Sequence, residues 1–313
     1  MNLRRARRAL TGEHGTALAP FIDHHVHLGL IDVSELVDGG IAGVLDLGGD
    51  PVHLARRADD GMPHVVYAGA FLTAPGGYPV GRSWAPSEIV REVSDPSLHP
   101  GVPGGAATAV FEQASFGASV IKIALNSDAG PVFDSVTLAA VIAAARDRGL
   151  PVVAHVEGEG MTRLAVEAGA DALAHTPFTE LVPAAVIAQA VASGQKWIST
   201  IDIHRREPIA ENIALANLAA FVSAGGTVLY GTDLGNGDLH VGINARELVA
   251  LDDAGVRGEA LIHALTDPWP VLTRAESVST FVAGEPPAEL HALPRWLARG
   301  IIVPREELIH DDH

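Results

Sequence analysis

The segment Phe21-Ile22-Asp23-His24-His25-Val26-His27-Leu28 concentrates more chemistry than any other in the chain. Side chains alternate along an extended strand, so Phe21, Asp23, His25 and His27 fall on one face. Ile22, Val26 and Leu28 fall on the other, with His24 as its polar member. Two imidazoles one residue apart beside a carboxylate make half of a metal site at a strand end. The remaining ligands must come from other strands.

Four further polar residues interrupt or close apolar runs. Lys122 lies between Ile121 and Ile123, His155 follows Val152-Val153-Ala154, His175 follows Ala172-Leu173-Ala174, and Asp233 follows Val228-Leu229-Tyr230-Gly231-Thr232. The chain has no cysteine, so any metal must be held by nitrogen and oxygen donors. Taken singly, each has a plain structural role: a hydrogen-bonded histidine, an ion-paired or snorkelling lysine, an aspartate capping a turn. Their shared position at strand ends favours one site.

The elements that must position them follow one rhythm. Apolar runs at Ala42–Leu47, His64–Leu72, Ser119–Leu125, Pro151–Val156, Asp171–His175, Lys196–Ile201 and Thr227–Leu234 join the opening strand to make eight. Between and after them lie helical stretches at Pro51–Asp60, Ala106–Phe116, Ser135–Arg148, Thr162–Ala168, Pro183–Ser193, Pro208–Ala224 and Asn244–Asp253. Glycine often follows, as it does at helix ends. Strand–helix alternation predicts an α/β fold with a parallel sheet, and eight units predict a (β/α)8 TIM barrel with its site at the carboxyl ends of the strands. An open doubly wound sheet is the structural alternative. The loop Thr73–Pro103 is placed over the mouth. The expected division is an N-terminal arm (1–19), a barrel (20–270) and a C-terminal appendage (271–313) with a strand-like Gly300-Ile301-Ile302-Val303.

Composition narrows the partners. A formal charge of −17 opposes nucleic-acid or anionic-membrane binding, so the expected partner is a small-molecule substrate, with homo-oligomerisation left open. No run approaches the roughly 18–20 apolar residues of a membrane helix, and the basic start Arg4-Arg5-Ala6-Arg7-Arg8 reads as a solvated arm without a signal-peptide core. The expected compartment is the cytoplasm.

His-x-His on the first strand, Lys on the fourth, His on the fifth and sixth and Asp on the eighth resembles the amidohydrolase superfamily. The neighbourhoods are similar to its imidazolonepropionase and prolidase-like branch: Gly117–Ile123, Gly149–His155, Ala168–His175, Gly231-Thr232-Asp233, and the stretch from His240 to Thr266. The resemblance spans about residues 20 to 267. It implies a binuclear metal centre: His25, His27 and Asp233 at one divalent ion, His155 and His175 at the other, and Lys122 bridging both as a CO₂-derived carbamate. Zn²⁺ suits these donors, and Mn²⁺, Co²⁺ or Fe²⁺ would also be accepted. A metal-bridging hydroxide would be oriented by Asp233, which relays its proton. The implied reaction is hydrolysis of an amide or cyclic amide C–N bond in an N-acyl amino acid or dipeptide-like substrate.

The sequence departs from that pattern in places. Only about 20 residues precede the first strand, so the family's N/C-terminal β-sandwich is expected to be reduced or vestigial, with Ser279–Gly284 and Ala298–Ile302 as its remnant. Val156-Glu157-Gly158-Glu159 stands where relatives often carry another histidine. Candidates for holding substrate are Tyr78 and Arg82 in the mouth loop, His204 and Arg205 after the seventh strand, and His240 after the eighth. His24 and His64 are assigned structural roles. The rivals are a lactonase or phosphotriesterase on the same ligands and a non-catalytic metal-binding barrel. A mononuclear deaminase is disfavoured by Lys122 and by Gly158, where that group places a glutamate.

Overall fold

The computed structural model describes residues 3–57, 61–271 and 277–310. In chain order the strands are β1 (Arg4–Arg8), β2 (His14–Leu18), β3 (Ile22–Val26), β4 (Gly43–Asp46), β5 (His64–Tyr67), β6 (Phe71–Thr73), β7 (Val90–Glu92), β8 (Ile121–Asn126), β9 (Val152–Glu157), β10 (Ala172–Leu173), β11 (Lys196–Ile198), β12 (Thr227–Leu229), β13 (Val278–Ala283), β14 (Ile301–Pro304) and β15 (Leu308–His310). The helices are α1 (Glu35–Asp38), α2 (Pro51–Ala55), α3 (Ala106–Ser115), α4 (Ser135–Arg146), α5 (Met161–Ala168), α6 (Ala184–Ala192), α7 (Pro208–Ser223), α8 (Ala245–Asp253), α9 (Glu259–Thr266) and α10 (Leu293–Leu297).

The fold is mixed α/β with parallel sheets. One has the order β12-β11-β10-β9-β8-β6-β7, and the other β3-β4-β5. Backbone hydrogen bonds join them at both sides. Ser119 N–H donates to Tyr67 O (2.8 Å) at one seam. At the other, His27 N–H donates to Leu234 O (2.7 Å) and Asp233 N–H to His25 O (2.8 Å). The segments carrying His25, His27 and Asp233 are therefore direct neighbours.

Local sequence explains the individual units. Asp134 caps α4 by accepting Thr137 N–H at 2.8 Å, α4 buries Leu138, Val141, Ile142 and Ala145, and Gly149 turns the chain with φ +67°. β8 and β9 then pair over six residues from Ile121↔Val152 to Asn126↔Glu157, which sets Lys122 and Asn126 on one strand beside His155 and Glu157 on the next. A small cluster that includes Leu45, Ala68, Val120, Val153, Ala172, Ile198 and Leu229 lies on the parallel strands and the residues flanking them. A larger one packs strands against helices, with Leu138, Val141, Phe221 and Leu248 among its members.

Several expectations change. Arg4–Arg8 is no solvated arm: β1 pairs antiparallel with β15 and β2 in a five-stranded sheet, order β14-β13-β2-β1-β15. Ala6 faces its core with Ala17, Phe281, Val303 and Leu308, while Arg4 and Arg5 stay exposed. The expected arm and appendage thus share one sheet, tied to β3 where Phe21 N–H donates to Thr280 Oγ1 (3.0 Å). The run His64–Leu72 divides into β5 and β6 around Gly69, which has φ +76°. The mouth loop Thr73–Pro103 contains a short strand, β7, paired with β6. The helix expected at Pro51–Asp60 stops at Ala55, and positions 58–60 lie outside the described residues, as do Met1 and Asn2 of the basic start. Among the described residues no helix is long and apolar enough to cross a membrane.

Candidate metal centre and its cavity

His25 and His27 stand at the end of β3, and Asp233 reaches them from beyond β12. Nε2 of each histidine lies 3.1 Å from Asp233 Oδ1. The opposite ring nitrogens face backbone carbonyls: His25 Nδ1 and Ala174 O are 2.7 Å apart, and His27 Nδ1 and Gly48 O 3.0 Å. A carbonyl can only accept, so these Nδ1 atoms carry hydrogens, and the neutral His25 ring turns its Nε2 lone pair toward Asp233. Burial holds His25 well below the ordinary imidazole range, so it is neutral. Burial also disfavours charge on His27, but the adjacent Asp233 outweighs it and raises that ring. Asp233 is held well below the usual carboxylate range because these imidazoles overcome its desolvation.

His155 and His175 continue the arc. Ring centroids run His27 to His25 at 5.2 Å, His25 to His175 at 4.7 Å, and His175 to His155 at 5.0 Å. His175 Nδ1 meets Thr200 Oγ1 at 2.9 Å, and His155 Nε2 lies 3.3 Å from Glu157 Oε2. Burial lowers both rings, His175 strongly. Lys122 is 1% exposed on β8, acts electrostatically on all four rings, and is lowered to about 7 by burial. Its Nζ lies 5.7 Å from the centre of the Phe71 ring.

Two buried carboxylates anchor the backbone beneath. Asp23 accepts from Thr232 N (3.1 Å), Thr232 Oγ1 (2.5 Å) and His25 N (3.0 Å). Asp46 accepts from Leu28 N (2.8 Å) and Gly48 N (3.0 Å), and so fixes the carbonyl that orients His27. Among the described residues, Thr200 (φ +46°) and Asp233 (φ +57°) are the non-glycine positions with left-handed backbone. Both sit at this site, where such strain is retained by surrounding contacts.

This donor set fits a cation. His25 Nε2 and Asp233 Oδ1 are buried and make no hydrogen bond, so a lone pair faces a carboxylate oxygen with no proton to join them. A divalent ion between such atoms removes the repulsion, and His25, His27 and Asp233 offer ligand atoms within 4.8 Å of one another. The neutral rings of His155 and His175 add two nitrogen donors nearby.

The arc opens into a cavity of about 510 Å³. Of the residues expected to hold substrate, Tyr78 and His204 line it. Tyr78 stacks on His155 with centroids 5.0 Å apart, and burial keeps its phenol protonated. Arg82, Arg205 and His240 do not line the cavity. Arg82 is exposed with its guanidinium 5.9 Å from the Tyr78 ring, Arg205 pairs with Asp238, and His240 is exposed. His24 is buried as a structural residue, with Tyr230 O at 2.8 Å and Asp267 O at 2.9 Å from its two nitrogens.

The cavity also takes residues that sequence reading did not single out. Asn236 donates to Asp233 Oδ2 at 2.9 Å, and Phe71, Trp84 and Phe178 supply aromatic walls. Glu157 and Glu207 add carboxylates. The signal for Glu157 was its even spacing from His155 along one strand, and Asn236 gave none.

No family model matches the chain, and no curated protein matches it. Solved structures do. A Xaa-Pro dipeptidase with methionine bound in its active site is 19% identical, with a TM-score of 0.73 over 95% of this chain and 87% of its own. An ochratoxinase from A. niger is 20% identical, with a TM-score of 0.70 over 91% and 81%. Phenylurea hydrolase B is 16% identical, with a TM-score of 0.67 over 95% and 85%. The chain shares the fold of these enzymes.

Proposed function

We propose that the chain is a metal-dependent hydrolase of the amidohydrolase superfamily that cleaves an amide or cyclic amide C–N bond. In this reading the two joined parallel sheets form a (β/α)8 barrel carrying the antiparallel sheet as a reduced appendage. The observation that carries it is the buried apposition of His25 Nε2 and Asp233 Oδ1, which a bound cation would resolve. The fold neighbours, among them a dipeptidase and a phenylurea hydrolase, support the bond class.

His25, His27 and Asp233 would hold one divalent ion and His155 and His175 a second, with Lys122 shared between them as a carbamate. Two such ions, Zn²⁺ first by donor type, supply an acidified water and a polarised scissile carbonyl. Lys122 suits its part because an amine with a pKa of about 7 is about half unprotonated near neutrality, whereas an ordinary lysine is almost wholly ammonium. Its nitrogen adds to the carbon of CO₂ and releases a proton, which replaces a cation in the site by an anionic oxygen donor.

Asp233 takes the proton of the attacking water and delivers it to the leaving nitrogen as the C–N bond breaks. Asn236 holds Oδ2 so that the carboxylate keeps one orientation through both transfers. Tyr78 retains its proton and can donate to the substrate, and the neutral His204 across the cavity can do the same. Purified protein loaded with Zn²⁺ should hydrolyse members of an amide panel in preference to lactones and phosphotriesters. Cleavage confined to lactones or phosphotriesters would reassign the bond, and metal binding without any turnover would make the site non-catalytic.

A further inference from the structure

A pocket shaped for a substrate carboxylate would offer it a guanidinium or an ammonium, and this cavity does the reverse. Among the described residues lining it, Lys122 is the only lysine or arginine, and it is buried beside the histidines. The walls carry Glu157 and Glu207 instead. Both line the same cavity as His204. Of the neighbouring arginines, Arg205 and Arg206 both pair with Asp238, the latter at 2.8 Å, and Arg82 stays outside the cavity lining, although its charge reaches Glu157.

Glu157 has one oxygen occupied, since Oε2 accepts from Asn126 Nδ2 at 2.6 Å and lies near His155. Its Oε1 has no protein partner among the described residues. Orienting His155 accounts for one oxygen of Glu157 and for nothing about Glu207, whose exposed carboxylate makes no side-chain bond among the described residues. Beside Glu157 an aromatic wall begins: Tyr78 stacks on the His155 ring that Glu157 touches, with Trp84 6.2 Å from Phe71 and 6.0 Å from Tyr78 between ring centres. Ring faces attract cations and gain most where water is excluded.

We infer that the substrate carries a cationic group, an alkylammonium or guanidinium, seated in the cavity among Glu157, Glu207 and the aromatic wall. This rests on the reading of the cavity as the hydrolase's substrate site. It differs from the expectation that a loop guanidinium of Arg82 or Arg205 would meet a substrate carboxylate, and calls for the opposite charge.

Calorimetric titration of the Zn²⁺-loaded protein with phenylbutylammonium and its neutral isostere phenylbutanol tests it without requiring turnover. The ammonium should bind more tightly by roughly tenfold or more. That preference should fall by roughly three- to tenfold in Glu207→Gln and further in the Glu157→Gln/Glu207→Gln double variant. Equal binding of the two probes, no measurable binding of the ammonium, or a preference unchanged in both variants would overturn the inference. The amide panel, run in parallel, separates the two ideas. Amide cleavage with no charge preference leaves the hydrolase and removes the cation site. A variant-sensitive preference without cleavage of any amide, lactone or phosphotriester does the opposite.

Discussion

Asp23 grips Thr232 from 209 positions away, taking its hydroxyl on Oδ2 at 2.5 Å and its N–H on Oδ1 at 3.1 Å. The same Oδ1 accepts the N–H of His25 at 3.0 Å. One carboxylate therefore fixes the residue before Asp233 and the backbone of His25, one of the two histidines that face it. Burial pushes the Asp23 carboxyl up to about 7 despite these donors, so the contacts hold a group that the interior disfavours as an anion. Asp23→Asn leaves an amide N–H₂ where an acceptor is needed. Zn²⁺ affinity should fall by roughly 10- to 100-fold, as for other supports behind metal ligands. Chelator competition reads this directly, and unchanged affinity would show that Thr232 and His25 keep their places without Asp23.

Metal stoichiometry separates a binuclear centre from a simpler one. Elemental analysis of protein refilled after chelation should approach two Zn²⁺ per chain, and the melting temperature should rise on refilling because these ligands converge only in the folded state. One equivalent or less would leave His155, His175 and Lys122 without a shared ion.

Much of this arrangement could be read from the chain, for identifiable reasons. His25 and His27 stood out because two imidazoles on one strand face cannot be explained by packing. The helices at Ser135–Arg146 and Pro208–Ser223 stood out through their apolar spacing and closing glycines. What stayed hidden depends on distant partners. Arg205 looked free to bind substrate until Asp238, 33 positions on, captured it. Arg4–Arg8 reads as a charged arm because its one inward residue is Ala6, and its partner strand begins at Leu308. Asp46 gives no local sign that its two oxygens hold Leu28 and Gly48 on either side of the His27 ring.

Lys122→Ala would remove the ligand proposed to be shared by the two ions and leave a buried gap beside Phe71. Activity on the best amide of the panel should be lost, with partial recovery on adding a short carboxylic acid such as acetate or propionate, which restores anionic oxygens to the gap. Full activity without rescue would take Lys122 out of the site. ¹³C NMR after equilibration with labelled CO₂ should show a carbamate signal in the wild type and none in the variant.

Glu247, on α8, tethers the segment leading to His204, accepting Ile201 N at 3.0 Å and Asp202 N at 2.7 Å. Burial raises its carboxyl from 4.5 to about 7. Between those values the folded state keeps a proton that the unfolded state has released. Its stabilising contribution is therefore complete below pH 4.5 and is lost as pH rises through about 7. The full effect is on the order of 3 kcal/mol. Glu247→Gln loses one tether at every pH but cannot titrate. The stability gap between wild type and variant in urea should narrow by on the order of 2–3 kcal/mol from about pH 5 to about pH 8. A constant gap would mean that Glu247 is ionised throughout.

Asp233→Asn is the most discriminating change at the centre. Asparagine is among the few residues that tolerate the left-handed backbone found there at φ +57°, so the turn after β12 should survive where alanine would strain it. The amide still offers one oxygen to the ion held by His25 and His27, but it cannot accept and return a proton. Turnover should therefore drop by at least about a hundredfold while melting temperature stays near that of wild type and Zn²⁺ loading is at most partly reduced. If turnover persists, the proton moves by another route and Asp233 is a ligand alone. If loading collapses together with turnover, its charge and not its proton transfer is what the reaction needs, and the two roles separate on that measurement.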